Sequence, residues 1–359
     1  MTGAAAADGT GRDVALSLVG YYGYRNLGDD LMLAQLVARL SEHPTIGGIT
    51  VCSIDHLPFP LPAKARTLLT PSPAGRVRKA WSLVRGDIVV WGGGTCLYED
   101  GPGGIDGLRG IIRVMRLTQA FGGKYVMLGV GVGPLHTERG RILLRRIVER
   151  ADAVYFRDEE SAAAVAAAGA AGTVLPAGDL TFLDAIRPAP QRISGTSAVP
   201  GTVAFCGVGD FAARCDIVAA YRSMLGDWLT AGVSEIRFIP MHQGERSDHR
   251  LHDMLVAGLP PEAVNLINYG TFAEVTDALA TADAVVSMRL HGVVLADQLG
   301  VPAIGVNYSP KVRAYVEKTG FLPDRRVREP GSAISVDDLQ ALRREFISPD
   351  NPLPAFLVA

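Results

Sequence analysis

Apolar positions along this chain recur in two alternating rhythms. Runs such as VALSLV at 14–19, GGITVCSI at 47–54, DIVVWGGG at 87–94, KYVMLGVGVG at 124–133 and DAVYFRD at 152–158 are almost continuously apolar. That suits strands covered on both faces rather than on one. Between them the spacing shifts to three and four. LMLAQLVARL places Met32, Leu33, Leu36, Val37 and Leu40 on one helical stripe, and Asp29 stands where it can cap that helix. Strands alternating with helices predict a parallel sheet between helical layers.

A stretch rich in Pro, Gly and Ser, RPAPQRISGTSAVPG at 187–201, breaks the rhythm and reads as a linker. The rhythm then restarts with TVAFCGVG at 202–209, EIRFIPMH at 235–242, AVNLINYG at 263–270, DAVVSMRLHG at 283–292 and VPAIGVNYS at 301–309. The expected organisation is a flexible tail at 1–13, a first domain at 14–186, the linker, and a second domain at 202–335. At 336–359 a helix and tail are placed to pack back on the first domain. The fold class is α/β, two Rossmann-like doubly wound domains facing a cleft, with chemistry in the turns that follow the strands.

Bulk composition narrows the function classes. A chain of 359 residues is long for one core. With 48% hydrophobic and 20% charged residues it shows no compositional sign of disorder. A net charge of -2 gives no global electrostatic reason to bind nucleic acid or an anionic membrane. Arginine pairs such as Arg145-Arg146 look scattered over solvated helix faces. No apolar run approaches the roughly 18–20 residues of a membrane span. The start, MTGAAAADGTGRD, lacks the basic and apolar regions of a secretory leader, so a cytoplasmic location is expected. Cys52, Cys96, Cys206 and Cys215 form no C-x-x-C pair and read as reduced core filling, with no metal site.

The unusual residues fall after the strands. SMRLHG at 287–292 leaves an apolar run and enters a helix, whose free N–H groups and positive end, with Arg289 alongside, form an anion site containing His291. After the next strand comes YSPKV, in which Lys311 either converges with His291 on a ligand or is a surface lysine at a helix start. In YFRDEES, Arg157 is equally suited to reach an anion or to pair with Asp158 or Glu160. The glycines of WGGGTCLYED and GVGVGPL allow close backbone approach, but neither run fits G-x-x-x-x-G-K-[ST] or a dinucleotide fingerprint. His242 ends a strand, while the histidines of MHQGERSDH lack the compact spacing of a metal site.

Taken in order, these segments resemble one family, the polysaccharide pyruvyltransferases. GYYGYRNLGDDLML is similar to its G-x-x-N-x-G-D-[DE] signature, WGGGT to its glycine-rich turn, GVGVGPL to G-x-G-x-G-P, and RDEES to R-D-x-x-S. GDLTF at 178–182, SMRLHG and YSPKV follow. The resemblance implies a fold like glycosyltransferase B and transfer of the pyruvyl unit of phosphoenolpyruvate to two hydroxyls of a sugar, closing a cyclic ketal and releasing phosphate. It makes His291 the catalytic histidine and Arg157 and Lys311 donor-binding, with Arg289 beside them. No cofactor, metal, nucleic acid or membrane span is expected. Carboxylates repel a trianionic donor, so Asn26, Asp29 and Asp30 suit sugar hydroxyls. With Gly93, Gly94, Thr95 and His242 they are assigned to the acceptor. Two departures, Val130 where the family often has glutamine and Tyr24-Arg25 where a small residue is common, fall where an acceptor would sit. The alternatives are a nucleotide-sugar glycosyltransferase of the same fold and a silent glycan-binding protein.

Overall fold

In a computed structural model, which describes residues 13–171, 173–174, 178–182, 199–245 and 247–346, the apolar runs become two parallel sheets. The expected tail up to residue 12, most of the expected linker and the chain beyond Phe346 lie outside the described residues. The chain divides into two compact units, 1–24 with 29–186 and 25–28 with 187–359.

In the first unit the strands are β1 (Val14–Val19), β2 (Ile46–Ser53), β3 (Ala65–Leu69), β4 (Ile88–Gly92), β5 (Thr95–Leu97), β6 (Lys124–Val132), β7 (Ala153–Phe156) and β8 (Thr173–Val174). They lie in the order β3-β2-β1-β4-β6-β7-β8, with β5 paired to β6. Helices α1 (Leu27–Ser41), α2 (Pro73–Arg85), α3 (Asp106–Ala120), α4 (Glu138–Arg150) and α5 (Glu159–Ala167) connect them. The strand order reverses at β1 and β4, so right-handed crossovers send α1 to one face and α2 to α5 to the other. The buried clusters agree. Met32, Leu33, Leu36 and Val37 of α1 fill one, whereas Leu83, Leu108, Ile111, Leu144, Ile147 and Val165 fill the other. Val130 is fully buried in this second cluster. Its side chain is core, which corrects the expectation that it faces an acceptor.

The second unit repeats the plan with β9 (Thr202–Cys206), β10 (Glu235–Phe238), β11 (Val264–Leu266), β12 (Ala284–Ser287), β13 (Ala303–Val306) and β14 (Val327–Arg328), ordered β11-β10-β9-β12-β13-β14. Its helices are α6 (Cys215–Thr230), α7 (His249–Val256), α8 (Phe272–Ala280), α9 (Leu290–Leu299), α10 (Pro310–Thr319), α11 (Pro323–Arg326) and α12 (Val336–Phe346). Here the order reverses between β9 and β12, and α9 begins just beyond that point. Leu339 and Leu342 of α12 are buried in the second unit's own core, and Trp228 Nε1–H donates to the Ile334 carbonyl at 2.6 Å. The closing helix thus spends its apolar face in the second unit's own core.

Candidate functional site

The motif GYYGYRNLGDD does not stay with one unit. After β1 the first unit holds Gly20 to Tyr24, the next four residues group with the second unit, and Asp29 returns to the first. Within the first unit, Tyr22 is buried and donates to the Gly92 carbonyl at 2.7 Å. Gly23 takes a φ of 76° that favours glycine, and its N–H is received by Asp30 Oδ1 at 3.0 Å. Asp30 is only 1% exposed, and burial pushes its carboxyl up to about 7. It therefore braces the turn rather than presenting a carboxylate to a sugar. The half-buried Asp29 lies in the first turn of α1 and is not its cap. The helix starts earlier, and Asn26 Oδ1 accepts from the Gly28 N–H at 3.3 Å.

Beside that turn, Gly93 and Gly94 take φ of 72° and 78°. A Cβ on Gly94 would stand 3.1 Å from an Asp29 carboxylate oxygen, so the missing side chain lets the β4 turn approach α1. Thr95 follows, and its hydroxyl accepts from Arg157 Nη2 at 2.8 Å. Arg157 is 8% exposed and is held on two further sides, by Asp158 at 3.1 Å and Asp179 at 3.7 Å. Asp158 also caps α5 through the Ser161 N–H, and Ser161 Oγ accepts from the Val132 N–H at 2.9 Å. The structure thus brings together Asp29, Gly93, Gly94, Thr95 and Arg157 in the first unit. The pairing alternative for Arg157 is realised with Asp158, and Asp179, not weighed from the sequence, adds to it.

In the second unit the motif residues form a strand-like rung. The Leu27 N–H donates to the Met241 carbonyl at 2.8 Å and the Gln243 N–H to the Arg25 carbonyl at 2.9 Å, around an antiparallel bridge between Asn26 and His242. Arg25 takes a φ of 57° to make this turn. The rung leaves Gly28 against His291, where an added Cβ would fall 1.9 Å from Nδ1. His291 is the second residue of α9 and half-buried. Lys311 is half-buried one residue into α10, after Pro310.

Asp248, which the sequence reading did not assign to the site, organises this half. It is fully buried and accepts from the backbone N–H groups of Gly209 at 3.1 Å, Met241 at 3.0 Å and His242 at 2.9 Å. It also receives Arg289 Nε at 3.2 Å and Nη2 at 2.5 Å. Arg289 was expected to face the donor; its fork is instead committed to this carboxylate, which keeps the guanidinium charged. The pair locks the residue that precedes α9, and hence the entry of His291. Close by, His252 is fully buried, its Nε2 accepts from the Gly207 N–H at 3.0 Å, and burial holds its imidazole down at about 3. Gly28 and Asp248 left no periodic signal. Asp248 precedes α7 but caps it with no side-chain hydrogen bond, and its partners are Gly209, Met241, His242 and Arg289.

Among the described residues no group of three or more His, Cys, Asp or Glu side chains is placed to hold a metal ion, and no helix is long and apolar enough to cross a membrane.

Comparison with known proteins adds family and fold. A family model described as polysaccharide pyruvyl transferase matches residues 26–310. No curated protein matches in sequence. Among solved structures, the chain is similar to the UDP-GlcNAc 2-epimerase of Methanocaldococcus jannaschii, with a TM-score of 0.58 at 11% identity over 96% of this chain and 95% of that one. It is also similar to the UDP-N-acetylglucosamine 2-epimerase of Rickettsia bellii, with a TM-score of 0.57 at 11% identity over 97% and 93%. At such identities the likeness speaks for the two-domain α/β fold alone.

Proposed function

Because the chain belongs to the polysaccharide pyruvyl transferase family, we propose that this transferase takes its pyruvyl unit from phosphoenolpyruvate and closes it as a cyclic ketal on two hydroxyls of a sugar-containing acceptor. One acceptor hydroxyl adds to C2 of the donor as the methylene carbon gains a proton. Phosphate then leaves, and the second hydroxyl closes the ring. Of the two hydroxyl protons, one ends on the new methyl group and the other leaves with phosphate. The net change needs no redox cofactor.

The observation that carries this reading is His291, set in the first turn of α9 and packed against Gly28 of the motif turn. A histidine so placed is suited to hand the proton to the methylene carbon, and a positioned acid contributes about 10²–10⁴-fold. The positive N-terminal end of α9 and the ammonium of Lys311 at the start of α10 favour the donor's phosphate and carboxylate. Of the first unit's residues, Arg157 is assigned to the donor, and Asp29 and Thr95 to the acceptor. Arg289 acts through Asp248 and takes no direct part.

Titration calorimetry with phosphoenolpyruvate and with UDP-sugars, followed by phosphate release in the presence of sugar acceptors, tests the reading. Binding of phosphoenolpyruvate, and phosphate release that His291→Ala abolishes while binding persists, is expected. Tight binding of a UDP-sugar in place of phosphoenolpyruvate would overturn it.

A further inference from the structure

The helical layer α2 to α4 of the first unit concentrates charge that the sequence appeared to scatter. Helix α2 carries Arg76, Arg78, Lys79 and Arg85 and no acidic residue. Helix α3 carries three arginines against Asp106, and α4 five against Glu138 and Glu149. The layer therefore holds twelve basic and three acidic residues in a chain whose net charge is -2. The three acids are matched by Arg109, Arg141 and Arg145, which leaves the rest of the basic residues in excess. Beyond α4 the layer ends at α5, which opens on Glu159 and Glu160.

Apolar groups are exposed on this same layer. Of the eight exposed large hydrophobic residues described, Val77 and Trp81 on α2, Phe121 just after α3 and Ile142 on α4 lie here, four of the eight. Trp81 is 55% and Phe121 63% exposed, and the Arg85 guanidinium sits 4.7 Å over the Trp81 ring. A merely solvated helix face has no need of an exposed indole among arginines. Interfacial tryptophan and phenylalanine beside basic side chains suit the headgroup region of a bilayer, where the rings enter the acyl boundary and the cations meet lipid phosphates.

We propose that the α2–α4 face of the first unit docks on an anionic lipid bilayer. The proposal rests on charge complementarity and exposed aromatic groups, and is independent of which donor the enzyme uses. A basic face also attracts nucleic acid, but single-stranded nucleic acid is held by aromatic rings lining a groove, whereas Trp81 stands on the outer face of α2 and Phe121 is exposed at the end of α3.

The test is sedimentation of the full chain with vesicles of phosphatidylcholine alone and of phosphatidylcholine mixed with phosphatidylglycerol. At least tenfold stronger binding to the mixed vesicles is expected, weakening sharply at about 1 M salt, where the screening length falls to about 3 Å. The triple variant Arg76→Glu, Arg78→Glu, Lys79→Glu is expected to lose at least tenfold in binding with an unchanged thermal melt. Should that variant not fold, Arg113→Glu with Arg116→Glu replaces it, and Trp81→Ser lowers the binding that survives salt. Equal binding to both vesicle types, charge-reversed variants that bind as the parent does, or preference for a single-stranded oligonucleotide over mixed vesicles would overturn the proposal.

Discussion

The imidazole of His291 occupies the space where a side chain on residue 28 would begin, 1.9 Å from Nδ1 to a Cβ built on Gly28. Gly28 sits in the first turn of α1 without a positive φ. Alanine there would by helix preference alone gain about 0.5–1 kcal/mol. Any loss in Gly28→Ala is therefore a consequence of displacing the histidine. Phosphate release is expected to fall about 10²-fold, the scale of a roughly 1 Å misplacement, with the melting temperature nearly kept. Full activity in this variant would remove His291 from the reacting centre.

Asp248 and Arg289 should behave as one unit. Asp248→Asn leaves the Arg289 guanidinium uncompensated and turns an amide toward the Met241 and His242 N–H groups. Breaking such a pair costs about 3–5 kcal/mol. Urea unfolding is expected to show a loss of that size for Asp248→Asn. The double variant with Arg289→Met should be destabilised by less than the sum of the two single changes. Additive losses would show that the pair carries no coupling.

Asp30 ties the first unit's stability to pH. Its folded carboxyl titrates at about 7 against an ordinary 3.8, so the folded state holds a proton that the unfolded state gives up between those values. Stability from this group is full below 3.8 and is lost as pH rises through 7, at about 1.4 kcal/mol per unit where the two states differ fully. Asp30→Asn keeps an oxygen for the Gly23 N–H and removes the slope. Its advantage in thermal melts over the parent should grow from pH 4 to pH 7 and then level off. A constant difference would contradict a proton on Asp30.

His252 works in the opposite sense in the second unit. Its folded value of about 3 lies below the ordinary 6.5, so unfolding takes up a proton between them. Its contribution is present above 6.5 and is lost as pH falls toward 3. Acidification from pH 7 to 5 should therefore weaken the second unit while Asp30 strengthens the first. Hydrogen exchange at β9 and β1, followed against pH, is expected to move in opposite directions. His252→Leu should flatten the β9 response although it costs stability at pH 7 by orphaning the Gly207 N–H.

Much of the fold was legible because its strands are buried on both faces. VALSLV became β1 to the residue, and KYVMLGVGV became β6. The edge strand β3, ARTLL, gave no such run because its residues are half or fully exposed. The helix start was misplaced because the backbone rung to Met241 and Gln243 lets Asn26 supply the cap, a partnership no local spacing encodes. The same limit applied to the side chains. His291, Lys311 and Arg157 could be singled out by place, whereas the inward turn of Asp30 and the capture of Arg289 by Asp248 depend on distant partners. Charge misled for a simpler reason: summed over the chain, α2 to α4 vanish into a balance near zero.

The excursion of residues 25–28 also bears on how the protein is made. During synthesis these residues leave the ribosome early, but Met241, His242 and Gln243 follow only after most of the chain. The motif turn then waits without its backbone partners, and contacts of such sequence separation form late and slowly. A fragment beginning at residue 187 would lack the rung that lies along Met241 to Gln243, so the second unit is completed by four residues from a distant part of the chain.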